Sequence, residues 1–190
     1  MKRLEDRIAS EGQVLPGDIL KVGSFLNQNI DTTLLSEMAD EVASLYASSD
    51  VTKVLTIEAS GIAIAAAVGM ALHVPVLFAK KHRTSNVDGS TYAAPVHSFT
   101  HNEDYNVVVS SDYLKASDRV LLVDDFLANG AALRGLIQLC EEAGATVVGA
   151  AIQIEKCFTG AGDQLRAEGV RIESLAAIEA MSEDGIVFRS

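Results

Sequence analysis

The chain has 190 residues, 48% apolar and 22% charged, a balance that fills one buried core and excludes a disordered polypeptide. It carries 15 Lys and Arg against 26 Asp and Glu, a net charge of −11, which argues against a broad footprint on nucleic acid or on an anionic membrane. Aromatic residues make up 5% and Trp is absent, while Ala, Val, Ile and Leu abound, so an α/β fold with helices packed on a buried sheet is expected.

Charge interrupts the N-terminal run Met1-Lys2-Arg3-Leu4-Glu5-Asp6-Arg7 where a secretory leader needs apolar residues, so export is not expected. Leu4 to Ile8 sit at helical spacing with Gly12 as a stop, and Pro16-Gly17 marks a turn. Asp18 to Ile30 has no clean period and reads as an irregular, partly buried connection. Asp31 can cap a helix in which Leu34, Leu35, Met38, Val42, Leu45 and Tyr46 share a face, ending near Asp50.

A strand over Lys53 to Ile57, a helix over Gly61 to Leu72 and a strand over Val74 to Ala79 give a βαβ pattern. Gly61 to Ala79 is nineteen residues without formal charge, but His73-Val74-Pro75 breaks it and Ala dominates it, which favours a buried helix and strand over a membrane span. Lys80 to Tyr92 is polar and reads as a long exposed loop. Val96 to Thr100 and Asn106 to Ser110 flank His101-Asn102-Glu103-Asp104 as an antiparallel hairpin.

The parallel pattern resumes with a strand over Arg119 to Val123, a helix over Asn129 to Ala143 stopped by Gly144, a strand over Thr146 to Ile154, a short helix over Asp163 to Ala167 and a last strand over Arg171 to Leu175. Without repeats or linkers, residues 1–190 read as one domain, with 1–50 as an N-terminal flap region and 51–190 as the core. Cys140 and Cys157 lie in apolar stretches without CxxC spacing or a Cys/His cluster, so reduced core thiols and a cytoplasmic setting are expected.

The segment Arg119-Val120-Leu121-Leu122-Val123-Asp124-Asp125-Phe126-Leu127-Ala128-Asn129-Gly130-Ala131-Ala132-Leu133 carries the chemistry. A strand buried on both faces ends in two carboxylates, and ligands of open α/β sheets bind at that end. The small residues that follow let backbone N–H groups approach an anion at a helix N-terminus. Asp124 and Asp125 can accept from ligand hydroxyls, so a phosphate beside a vicinal diol matches both halves.

This segment resembles the phosphoribosyl-pyrophosphate motif of type I phosphoribosyltransferases. The resemblance implies their fold: a mainly parallel twisted sheet flanked by helices, with an N-terminal hood and an inserted antiparallel hairpin. It further implies that Asp124 and Asp125 hold the ribose hydroxyls while Ala128, Asn129, Gly130, Ala131 and Ala132 cradle the 5-phosphate of 5-phosphoribosyl 1-pyrophosphate. Many members end this loop in Thr-Gly-Gly-Thr, so here Asn129 is expected to supply the side-chain contact, and Ala128 leaves no loop acid to act as general base. Ile57-Glu58-Ala59-Ser60-Gly61-Ile62 follows the first parallel strand, where the family binds pyrophosphate; Ala59, Ser60 and Gly61 are the candidates, with Ser60 as helix cap the plainer alternative. The polar loop after Ala79 matches the family's closing catalytic loop, with Lys81 and Arg83 as candidates to meet the pyrophosphate.

Lys156 is donor-only and suits the acceptor oxygen of a 6-oxo purine, and Phe158 can stack on the ring. Asp18 to Val22, Ser24 to Asp31, Glu58 to Gly61, Phe126 to Gly130 and Ile154 to Lys156 together are similar to the bacterial xanthine-using branch of the family. That likeness implies Leu20 as an apolar wall or backbone contact and Asn27 as a reader of the 2-oxo edge. It also implies Mg²⁺ held mainly through the substrate rather than by a protein metal site, a homodimer, and small-molecule partners rather than nucleic acid or membrane. Two other readings are an adenine-specific enzyme and a non-catalytic purine-operon regulator of the same fold. The regulator needs a basic DNA-reading face, whereas acids outnumber bases in residues 1–50.

Overall fold

A computed structural model describes residues 1–81, 90–98, 103–183 and 185–189. The chain opens with α1 (Lys2–Glu11), a small hairpin of β1 (Gln13–Leu15) and β2 (Ile19–Lys21), a π-helical turn at Gly23–Asn27, and α2 (Thr32–Leu45). It continues through β3 (Lys53–Ile57), α3 (Gly61–Leu72), β4 (Val76–Ala79), and a hairpin of β5 (Thr91–Ser98) and β6 (Glu103–Ser110). Then come β7 (Arg119–Leu127), α4 (Ala131–Ala143), β8 (Thr146–Lys156), a 3₁₀ turn at Cys157–Thr159, α5 (Ala161–Ala167), β9 (Ile172–Ser182) and β10 (Gly185–Phe188).

Six strands form the main sheet in the order β10-β9-β8-β7-β3-β4, all parallel except β10. The first βαβ unit steps outward from β3 to β4; the chain then returns to the other side of β3 and steps outward again through β7, β8 and β9. The order therefore reverses between β3 and β7, and this is where an open sheet forms a crevice at the strands' carboxyl ends.

Alternate residues of β7 feed two cores. Leu121 and Val123 pack with Leu4, Ile8, Leu34, Met38, Val42, Ile64 and Val68 from α1, α2 and α3. Val120 and Leu122 pack with Leu133, Leu136 and Leu139 of α4 and with Ala94, Val96 and Val107 of the β5–β6 hairpin. Asp31 caps α2 by accepting from the Thr33 and Leu34 N–H groups, both at 3.1 Å. Residues 1–50 thus supply helices to one face of the main sheet, and the β1–β2 hairpin forms a separate two-stranded sheet packed near β9.

Several boundaries differ from expectation. β7 continues four residues past Val123 because β8 extends alongside it, with pairs as far as Leu127↔Glu155. β9 runs to Ser182 and turns back into the antiparallel β10, neither legible in a stretch that mixes Glu179 and Ser182 with apolar residues. β5 already begins at Thr91, so the polar loop is shorter than its sequence indicates, and most of it, with Arg83, lies outside the described residues, as does the hairpin's His101-Asn102. Cys140 and Cys157 are free and buried, and burial pushes their thiols up to about 12 and about 11. Among the described residues no helix is long and apolar enough to cross a membrane.

At the end of β8 the Glu155 side chain is 1% exposed and meets the Arg166 guanidinium at 2.8 and 2.6 Å, with the Ser174 hydroxyl also donating to it. Burial opposes its charge, but the Arg166 and Ser174 bonds prevail and hold the carboxyl below its usual range. Its folded pKa is lowered, so the stabilisation is complete above the ordinary carboxylate pKa and is lost as pH falls through the folded value. Arg166→Met should destabilise the fold by about 2–3 kcal/mol at neutral pH, less than for a fully buried pair because the guanidinium is partly solvated. The deficit should shrink in acid, where the stranded Glu155 protonates; urea unfolding of both chains at pH 7 and pH 4 measures it.

Candidate active site

β3 pairs with β7 only from Lys53↔Val120 to Leu55↔Leu122. Past that point β7 stays paired with β8 while its other edge opens, so Asp124 and Asp125 stand at the crevice. The turns leaving β3 and β7, residues 58–60 and 128–130, lead into α3 and α4 at the same end of the sheet. Each brings the first turn of a helix, where few N–H groups find an acceptor within the helix, toward the crevice.

In the β3 turn, Ala59 and Ser60 are exposed and the Glu58–Ala59 peptide is cis. Ser60 stands at the N-cap position of α3, but its side chain makes no cap hydrogen bond. Gly61 is buried, and a Cβ there would fall 2.1 Å from Thr56 Oγ1 and 3.2 Å from Asp124 Oδ1. Glycine is needed at this position because α3 begins pressed against β3 and the first carboxylate.

Asp124 and Asp125 are each 8% exposed and lie within β7 rather than at its end. Asp124 Oδ1 accepts from the Asp125 N–H at 3.0 Å. Burial, and then the charge of Asp125, raise the Asp124 carboxyl well above the usual range, while the Asp125 amide and Lys81 pull the other way. Lys81 donates its N–H to Glu58 Oε1 at 2.8 Å and holds its ammonium 5.5 Å from the centre of the Tyr105 ring. Burial, with Asp124 adding to it, raises the Tyr105 hydroxyl. The start of the polar loop is thereby tied to the β3 turn and to the surroundings of Asp124. Among the described residues no three His, Cys, Asp or Glu side chains form a metal-holding group.

In the β7 turn, Gly130 takes φ +79°, a left-handed conformation suited to glycine, and caps α4. Asn129 Oδ1 accepts from the Ala131 N–H at 3.0 Å, so this side chain orders its own loop. Ala132 and Leu133 follow in the first turn, where the helix itself supplies no acceptors.

β8 delivers Lys156 to the same end of the sheet. Its ammonium donates to the Asp18 carbonyl at 2.7 Å and lies 5.6 Å from the centre of the Phe126 ring, and burial lowers its pKa. An ammonium has three donors, so the Asp18 carbonyl leaves two for a ligand. Leu20 is buried in the core while its neighbours Ile19 and Lys21 are exposed, so its side chain serves packing. Asn27 is exposed at the end of the π-helical turn, and Phe158 is 39% exposed. Among the described contacts, Phe126 rather than Phe158 meets Lys156. Phe126 lay beyond the expected strand end at Val123 with no contact to Lys156 foreseen, and the Asp18 carbonyl has no signature in a sequence.

The description "Phosphoribosyl transferase domain" fits residues 29–163. Xanthine phosphoribosyltransferase from Bifidobacterium longum subsp. infantis is 52% identical over 185 residues, 97% of this chain and 96% of its own. Its counterpart from Heliobacterium modesticaldum is 50% identical over 188 residues, 99% of this chain and 100% of its own. The solved adenine phosphoribosyltransferase from Giardia lamblia, complexed with 9-deazaadenine, shares the fold with a TM-score of 0.77 at 22% identity, covering 90% of this chain and 96% of that one. A likeness that runs the length of the chain, on a fold held in common, leads to one assignment: the chain belongs to the phosphoribosyltransferase family, in the branch that its xanthine phosphoribosyltransferase relatives occupy.

Proposed function

We propose that the protein transfers ribose 5-phosphate from 5-phosphoribosyl 1-pyrophosphate to xanthine, giving xanthosine 5′-monophosphate and pyrophosphate in purine salvage. The observation that carries this reading is Lys156, held by the Asp18 carbonyl over Phe126, on the strand next to the one that presents Asp124 and Asp125.

In this reading the ribose 2′ and 3′ hydroxyls donate to Asp124 and Asp125, and the Ala128 to Ala132 backbone receives the 5-phosphate with Asn129 fixing the loop. The amides of Ala59, Ser60 and Gly61 face the pyrophosphate, with Lys81 beside them. The base nitrogen forms its bond to the anomeric carbon as the bond to pyrophosphate oxygen breaks, and the electron pair leaves with pyrophosphate. Sugar charge rises during this exchange, so two buried acids next to it stabilise the reacting state more than the ground state. Lys156 donates to the 6-oxo group and Phe126 lies against the ring, with Phe158 a second aromatic at the rim; Leu20 supplies backbone and Asn27 reads the 2-oxo edge.

Asp124 and Asp125 are the buried acids that would meet Mg²⁺ carried chiefly on substrate oxygens. When bound, Mg²⁺ would neutralise charge on the pyrophosphate. We place the enzyme in the cytoplasm as a homodimer, consistent with two reduced thiols and with apolar side chains such as Met70 and Phe78 at the surface.

Pyrophosphate release should be fastest with xanthine, slower with guanine and hypoxanthine and slowest with adenine; adenine in first place would overturn the reading. Lys156→Gln should lower kcat/KM for xanthine by about ten- to hundredfold, the loss of a charge-assisted hydrogen bond.

Protonation turns one Asp124 oxygen into a donor and removes the negative charge that would steady the sugar, and its folded carboxyl is raised. The pH profile of kcat/KM for the ribosyl donor should therefore fall on an acid limb lying above the usual carboxylate range, and Asp124→Asn should remove that limb while lowering activity at every pH.

A further inference from the structure

The ladder between β7 and β8 ends at Leu127↔Glu155. Beyond it, the phosphate loop and the turn after Lys156 have no strand pairing to keep them in register. One side chain spans the gap: Thr159 Oγ1 lies 2.5 Å from the Ala128 carbonyl and 2.8 Å from the Lys156 carbonyl. The turn is fixed for this purpose, since Gly160 takes φ +76° and donates its N–H to the Cys157 carbonyl at 2.9 Å. The phosphate loop has little room on its α5 side, because a Cβ added at Gly130 would fall 3.3 Å from Leu165 and 3.4 Å from Ala161.

We propose that Thr159 is a positioning residue that locks the phosphate loop to the turn carrying Lys156, so that the ribosyl and purine ligands bind with positive coupling. This rests on the reading above, in which Ala128 to Ala132 hold the 5-phosphate and Lys156 holds the base. A hydroxyl has one proton and here two acceptors, one on each ligand's loop. Thr159 is exposed, so water competes for that proton in the free protein. A ligand on either loop excludes water and orders the shared bond, and the second ligand then meets a turn already ordered. Coupling of this kind is reciprocal.

The test is calorimetric titration of xanthine into the full chain, with and without saturating ribose 5-phosphate, which fills the phosphate loop but has no pyrophosphate to lose. In the unaltered chain ribose 5-phosphate should tighten xanthine binding by about fivefold. Thr159→Val keeps the branched shape without the hydroxyl and should bring that factor close to one, and Thr159→Ser should restore it, both with a melting temperature near the original. The inference fails if the valine variant keeps the factor, if the unaltered chain shows none, or if serine and valine lose it equally together with thermal stability. Lack of xanthine turnover by the unaltered chain would remove the functional reading and this inference with it; turnover with equal factors in all three chains removes only the inference.

Discussion

The site depends on how briefly β3 and β7 stay together. Three residue pairs join them, and then β7 continues only with β8. Had β3 followed β7 to its end, Asp124 and Asp125 would be closed over by a neighbouring strand, and the two turns would have no space between them. The reversal of strand order makes the crevice, and the early end of the β3–β7 ladder gives it depth.

This geometry accounts for how a chain of net charge −11 can hold a ligand that is itself strongly anionic. Side-chain charge does not have to supply the attraction. In the proposed reading, main-chain N–H groups at the starts of α3 and α4 would supply it locally, where a bound ligand displaces water. In that reading the acidic pair faces the sugar rather than the phosphates. Burial raises the Asp124 carboxyl, and a cation or a set of hydroxyl donors beside it would act in the opposite direction. An acid of that kind is suited to a reaction in which positive charge grows on the sugar beside it.

Much of this was legible in the sequence, and the failures have physical causes. The β3, α3, α4 and β8 segments carry strong apolar patterns, and their positions are close to those expected. The extension of β7 was missed because Asp is a poor strand residue and its presence reads as a strand end. Tertiary pairing with β8 overrides that preference. The three-residue strands β1 and β2 are too short to show a period, so the stretch around Leu20 read as irregular. Among the site residues, Asp124, Asp125, Gly61 and Lys156 could be named because their chemistry is in the side chain or its absence. The Asp18 carbonyl and the Phe126 ring could not, since their part depends on which strands lie side by side.

Glu155 and Lys156 show what the end of β8 adds beyond binding. The two residues are adjacent, one buried in an ion pair with Arg166 and the other directed to Asp18 and Phe126. A buried ion pair is seldom the most stabilising choice, because desolvation cancels much of the attraction. It does, however, require one arrangement: Glu155 must meet both the Arg166 fork and the Ser174 hydroxyl, which fixes the rotation of the strand at its last residues. Neighbouring side chains on a strand point to opposite faces, so fixing Glu155 also fixes the direction in which Lys156 leaves the sheet. If Lys156 reads the base as proposed, recognition by this long, flexible side chain would begin from a rigid root, and less conformational freedom would be lost when the purine binds.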